Sequence, residues 1–364
     1  EGRLTSTYTP KTYPMIDDLI PPNTTPTFLH KSLQPSGFRS AAGDVVIAFT
    51  SNRPSFTAPL PTEASLNDQY RIYVASLDGA SQTRAMNRYP LEPLNAFAKP
   101  SGTPRFFSQQ VGPFPVPPNP TQGQLAPLFN PGPGETVIPE TVKFGAASFP
   151  SSPLVDPFTG AAARSVLMAF SGEAQLQTPA GRQGVSNLYL SNVVVSTSGQ
   201  VTVGAPVVLS VDPQTSKSRP AIVQVGARAT LFYGVTGTGQ SALYWNHYSG
   251  TWSNTNTIAL GDGFESATNP SAYARRYLGL NAGAGGDPVI ELTFVGKLRN
   301  RPNAEIFYTR LRSNINGQPQ GGPVVQPQIT DRLTNEGGGI YQAQGVGWDP
   351  TQPIVLEQVL NGVT

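Results

Sequence analysis

The sequence predicts an all-β protein, a β-propeller of five or six blades, and three observations carry that expectation. A pair of short β-branched and aromatic runs recurs along the chain, the recurrence has a step near 60 residues, and no helical periodicity competes with it. Gly and Pro contribute 37 residues each to the 364, which suits many short strands joined by irregular loops.

The clearest pair lies in residues 44–79. Val45–Ser51 and Arg71–Leu77 are short, apolar and bounded by turn formers, so each reads as a strand. The connection carries Pro54, Pro59, Pro61 and Asn67-Asp68, which continue neither strand. The pair predicts two antiparallel strands around a polar loop.

The pattern returns at Leu167–Gly172 with Asn187–Ser191, at Leu231–Gly234 with Ala242–Trp245, and at Leu292–Gly296 with Glu305–Thr309. With Phe49, Phe170, Tyr233 and Phe294 as markers, the steps are 121, 63 and 61 residues. The doubled first step predicts a further unit near Phe107, with Leu128-Phe129-Asn130 as its partner strand. One more step beyond Phe294 reaches Ile354-Val355-Leu356. A sheet of this length cannot bury both faces alone, and radial stacking solves that problem.

The phrases Ile47-Ala48-Phe49-Thr50-Ser51-Asn52-Arg53 and Ile72-Tyr73-Val74-Ala75-Ser76-Leu77-Asp78-Gly79 resemble the repeat of the TolB-type, WD-repeat-like propellers. The resemblance is tight over residues 44–79 and looser over the other units. It implies the same radial architecture that the repeat predicts.

Residues 1–34 read as an extended Pro-rich arm and 35–364 as the propeller, with a Pro-rich insertion at about 90–140. Proline fixes φ and favours polyproline II, so both segments suit extended chain laid on a surface. Phe149-Pro150, Arg219-Pro220 and Asn269-Pro270 fall before the core strands of successive units, as at strand starts or edges. The outer strand after the Asn187–Ser191 run is expected at Val201–Leu209, and Asn316-Gly317 is the strongest turn signal.

Composition narrows function. Charged residues make up 13% and the net charge is +2, so no basic surface for nucleic acid is indicated. Cysteine is absent, which removes disulfides, thiol catalysis and cysteine-ligated zinc. No apolar run is long enough to span a membrane as a helix. Low charge, abundant small polar residues and a first residue Glu1 rather than Met lead to the expectation of an exported protein, extracellular, at the cell surface or periplasmic.

Catalytic constellations are not apparent. The two histidines, His30 and His247, match no paired metal spacing, and no G-x-S-x-G elbow occurs. The run Asn281–Asp287 is followed by Pro288 and strand-like residues rather than by Lys-Ser and a helix, so it reads as a turn and not a phosphate loop. Neither a metal nor a cofactor is expected. Carboxylates at strand or loop positions (Asp44, Asp68, Asp156, Glu173, Asp262, Glu265, Glu291, Glu305) keep glycoside hydrolysis open, because that chemistry needs two acids flanking one bond.

The most distinctive candidate surface is aromatic. Tyr244, Trp245, His247, Tyr248 and Trp252 lie within nine residues, with polar residues between them, and Arg275-Arg276 follows. Aromatics with polar neighbours serve sugar faces and protein hot spots, although strand alternation sends some of them inward. The expectation is a non-enzymatic exported propeller that contacts a protein partner or assembly subunits. The rival is a carbohydrate-active propeller, either lectin-like or a glycosidase.

Overall fold

A computed structural model describes residues 32–39, 45–52, 70–77 and, with short gaps, 109–329. The described chain forms four antiparallel sheets in sequence order. Sheet 1 holds β1 (Ser32–Arg39), β2 (Val45–Ser51), β3 (Arg71–Leu77) and β4 (Gln109–Phe114). Sheet 2 holds β5 (Thr136–Ser148), β6 (Val166–Thr178) and β7 (Gly181–Val195), with β8 (Val201–Val203) and β9 (Val207–Leu209) both paired to β7. In sheet 3, β10 (Ser216–Lys217) and β11 (Ala221–Val225) share β12 (Arg228–Thr236), followed by β13 (Leu243–Tyr248) and β14 (Asn256–Ile258). Sheet 4 is β15 (Phe264–Arg276), β16 (Pro288–Leu298), β17 (Ala304–Ser313) and β18 (Pro319–Ile329). Each sheet is an up-and-down meander stacked on its neighbour in the chain, which is the propeller architecture.

One structural motif repeats in every sheet. The marker aromatic on the second strand sits directly opposite an aromatic on the third: Phe49 on Tyr73, Phe170 on Tyr189, Tyr233 on Tyr244 and Phe294 on Phe307. All four pairs stack, with centroids 4.9–5.9 Å apart and planes within 22°. The side they bury is also constant. Phe170 packs with Val46, Ala48 and Ile72 of sheet 1, Tyr233 with Leu167 and Leu188 of sheet 2, and Phe294 with Phe232 and Trp245 of sheet 3. In sheets 2, 3 and 4 the pair therefore faces the preceding sheet and glues two blades together, while Phe49 and Tyr73 cluster with Ala75 and Ile47 of their own sheet.

The doubled marker step has a different cause from the one the sequence suggests. Sheet 1 packs directly on sheet 2, with Phe144 donating its amide to Tyr70 O (2.8 Å), so no blade stands between them. The extra length lies in the connections before β4 and β5. Phe107 falls outside the described residues, and Leu128-Phe129 ends a helix, α1 (Gln122–Phe129), instead of a strand. Thr121 N bonds Gln124 Oε1 (2.9 Å) at its start, and Asn130 closes it in the left-handed region (φ 48°). Leu125, Leu128 and Phe129 bury into sheet 2, where the free helix-end carbonyl of Leu128 accepts from Tyr189 Oη (2.8 Å) and Asn187 Nδ2 (3.0 Å). The expected insertion at 90–140 thus contains β4, α1 and the start of β5. Pro113 is accommodated because β4 is the edge strand of sheet 1. With that unit removed, the repeat counts five. Four of these blades are described, while Ile354-Val355-Leu356 lies outside the described residues, as does the arm up to residue 31. The first strand begins at Ser32, inside the segment read from sequence as arm.

Candidate functional site: the axial funnel

The first strand of each sheet lines a common axis, and all four are broken at one level. In sheet 1 the register jumps between Leu33 and Ser36, leaving Gln34-Pro35 opposite Phe49. In sheet 2 it jumps between Gly145 and Ser148, opposite Phe170, and in sheet 4 between Thr268 and Ser271, leaving Asn269-Pro270 opposite Phe294. In sheet 3 the strand parts into β10 and β11, with Ser218-Arg219-Pro220 between them beside Gly234 and Tyr233. Gln34 and Asn269 take left-handed φ values of 54° and 47°, which swing the chain at the break. The prolines are therefore bulge residues at the axis, and not merely strand starts.

Arg219 ties three of these breaks together. Its Nε donates to Ser148 Oγ (3.0 Å), and its Nη2 donates to Ala147 O (3.2 Å) and Pro35 O (3.3 Å). Burial lowers its pKa. Ser218 closes the gap in sheet 3 by exchanging two bonds with Gly234, amide to carbonyl and amide to Oγ, both at 2.9 Å.

At one end the axis is crossed by the chain that leaves β5. Phe149 N bonds Ser36 Oγ in sheet 1 (3.0 Å), Ser151 Oγ donates to Ala272 O in sheet 4 (3.2 Å), and Leu154 bridges to Val225 in sheet 3. At the other end a cavity of about 360 Å³ opens, within the usual size of small-molecule sites. Sheet 1 supplies Gln34, Thr50 and Tyr70 to its wall, and sheet 2 supplies Lys143, Ser171 and Glu173. Lys217, Ser218 and Arg219 come from sheet 3 and Asn269 from sheet 4. The breaks in the inner strands have placed polar side chains where a regular ladder would have none.

Two charges in this wall are conspicuous. Lys143 and Glu173 are register partners on β5 and β6, yet neither side chain bonds the other or any other described residue. By contrast, Lys217 is buried and its Nζ donates to Ser186 O (2.6 Å) and Thr215 O (2.8 Å). Behind Tyr70 lies Arg71, 2% exposed, with Nη1 on Tyr70 O and Val142 O (both 2.9 Å) and its carbon centre 5.7 Å from the Phe144 ring. Burial pushes its pKa down to about 10, so it stays charged at neutral pH and adds positive potential beneath the funnel.

The aromatic candidates read from sequence do not form one surface. Trp245 packs towards sheet 4, while Tyr244, Tyr248 and Trp252 pack in the cluster shared with sheet 2. His247 is buried; its Nδ1 lies 2.9 Å from Thr230 Oγ1, which donates to Gly317 O (2.8 Å), so the imidazole carries its proton on Nδ1. Burial first, then the Arg228 charge, lower the His247 pKa. The middle strands of a blade are buried on both faces, and the aromatic density of β13 is core. Arg275 pairs with Glu291 across β15 and β16 (2.6 Å), and Arg276 reaches Ile315 O (3.3 Å). Glu265 and Glu305 are likewise held by Lys297 (2.9 Å) and Arg301 (2.8 Å). Of the carboxylates singled out in the sequence, Glu173 is the one that faces the funnel among the described residues; Asp44, Asp68, Asp156 and Asp262 lie outside them.

No family model matches the chain, and no curated protein does. Among solved structures it is similar to an α-L-arabinofuranosidase from Lactobacillus brevis, with TM-score 0.38, 14% identity, and 81% of this chain and 77% of that one covered. It is also similar to the Bombyx mori GH32 β-fructofuranosidase BmSUC1, with TM-score 0.36, 11% identity, and 82% and 50% covered. The chain thus spans half the length of the second. Sheet order and register, not these likenesses, define the architecture described above.

Proposed function

We infer that this protein is a carbohydrate-recognising β-propeller that seats its ligand in the axial funnel. The observation that carries the reading is Lys143 and Glu173, opposite one another at the cavity and without a side-chain partner among the described residues. Opposite charges at facing positions ordinarily stabilise a sheet by pairing. Held apart, they offer a donor-only ammonium and an acceptor-only carboxylate, and neighbouring sugar hydroxyls satisfy both. The amides of Gln34 and Asn269, the Ser171 hydroxyl and the Tyr70 ring complete a wall of the kind that hydroxyl-rich ligands need.

Recognition suits the funnel better than hydrolysis. Glycoside cleavage uses two carboxylates across the scissile bond, and among the described residues the funnel presents Glu173 alone. The protein-contact reading gains less. Val194 and Val207 are the exposed large hydrophobic residues in the described part, two single side chains and not an apolar patch.

A glycan array followed by calorimetry tests the proposal. Binding to a saccharide is expected, weakened at least about tenfold by Lys143→Ala and by Glu173→Gln. No binding across the array, or equal binding by both variants, overturns it. Release of reducing ends would move the reading to a glycosidase.

A further inference from the structure

The funnel continues past the Lys143–Glu173 pair. On its other side lies a second cavity of about 440 Å³, which shares those two residues and adds Glu140, Thr141, Gln175 and Ser186. Its wall is a built feature of β5. Between Ile138 and Lys143 the strand advances five residues while β6 advances two, from Gln175 to Glu173, so a three-residue excess is pushed outward. Thr141 pins that excess: its Oγ1 donates to Ile138 O (2.7 Å) and accepts from Gln175 N (2.8 Å). The side chains of Glu140 and Gln175 are exposed and have no partner among the described residues.

We propose that the site takes an oligosaccharide of at least two units, one in the funnel and the next in this second cavity, with the linkage lying over Lys143 and Glu173. The proposal rests on the carbohydrate reading and specifies the ligand class. Two polar chambers that meet at a single pair of side chains require a ligand with two wide hydroxylated parts and a narrow neck. Two sugar rings joined by one bridging oxygen have that shape. The exposed Glu140 carboxylate accepts from the second ring, and the Gln175 amide both accepts and donates, so the two cover the roles that Glu173 and Lys143 have for the first.

Calorimetry with xylo-, arabino-, fructo- and galacturono-oligosaccharides of one to four units tests it, on the full chain and on Gln175→Ala and Glu140→Ala. In at least one series the affinity is expected to rise about tenfold or more from one unit to two. Gln175→Ala, which keeps the backbone amide that holds Thr141, should remove most of that gain and leave monosaccharide affinity unchanged. Equal affinity for one and two units, or a gain untouched by both variants, overturns the two-chamber inference while the carbohydrate reading stands. Failure of every series to bind overturns both.

Discussion

Phe170 on β6 and Tyr189 on β7 lie face to face, centroids 4.9 Å apart and planes 13° from parallel, with both rings fully buried against sheet 1. Tyr189 also donates its hydroxyl to the helix-end carbonyl of Leu128, and burial drives its pKa far above the usual phenol range. One stacked pair thus joins two blades and anchors α1.

Phe170→Ala should therefore cost about 3–5 kcal/mol as a buried aromatic truncation. Phe294→Ala, at the same place in sheet 4, should cost a similar amount, whereas Val194→Ala on the surface should stay within about 0.5 kcal/mol. Urea unfolding of the three variants checks this. Equal midpoints for Phe170→Ala and Val194→Ala would show that the stacked pair does not join the blades.

The close approach of sheets 3 and 4 gives a second expectation. A Cβ on Gly234 would stand 2.2 Å from Ala267 O, a backbone atom of β15, and 2.9 Å from Thr268 Cα. Gly234→Ala must push the two blades apart and should cost at least about 1–3 kcal/mol. Gly184 has open space around it, so Gly184→Ala should be neutral or slightly stabilising. Thermal melts separate the two.

His247 makes stability depend on pH. Burial holds its folded pKa below the ordinary imidazole value of about 6.5, so the unfolded chain takes up a proton first as pH falls. The contribution of the neutral imidazole is complete above that value and is lost as pH drops through it towards the folded pKa. Unfolding free energies at about pH 7 and pH 5 should differ more for the wild type than for His247→Gln. The opposite order would place the folded pKa above the unfolded one.

The propeller was legible because its signal is local. Phe49, Phe170, Tyr233 and Phe294 each stack on an aromatic of the next strand, so spacing alone exposed the blades. The supposed unit near Phe107 arose from filling a doubled step, whereas long connections produced it. Leu128-Phe129 shows why a short apolar run is ambiguous: the same two residues serve the end of a two-turn helix. The site was hidden for a different reason. Gln34, Lys143, Glu173, Arg219 and Asn269 come from four sheets, and no spacing along the chain connects them. The usable signal is the X-Pro pair at Gln34, Arg219 and Asn269, placed before the markers Phe49, Tyr233 and Phe294. The cluster from Tyr244 to Trp252 resembles a binding surface in sequence because aromatics are frequent wherever a strand is buried on both faces.

A saccharide is expected to bind where the blades converge. A crystal structure of the protein with a bound di- or trisaccharide tests it most directly. Sugar hydroxyls should lie within hydrogen-bonding distance of Lys143 Nζ and the Glu173 carboxylate oxygens, about 2.7–3.2 Å, with one ring in the funnel. Sugar density confined to the outer faces of the sheets, with Lys143 and Glu173 untouched, would contradict it.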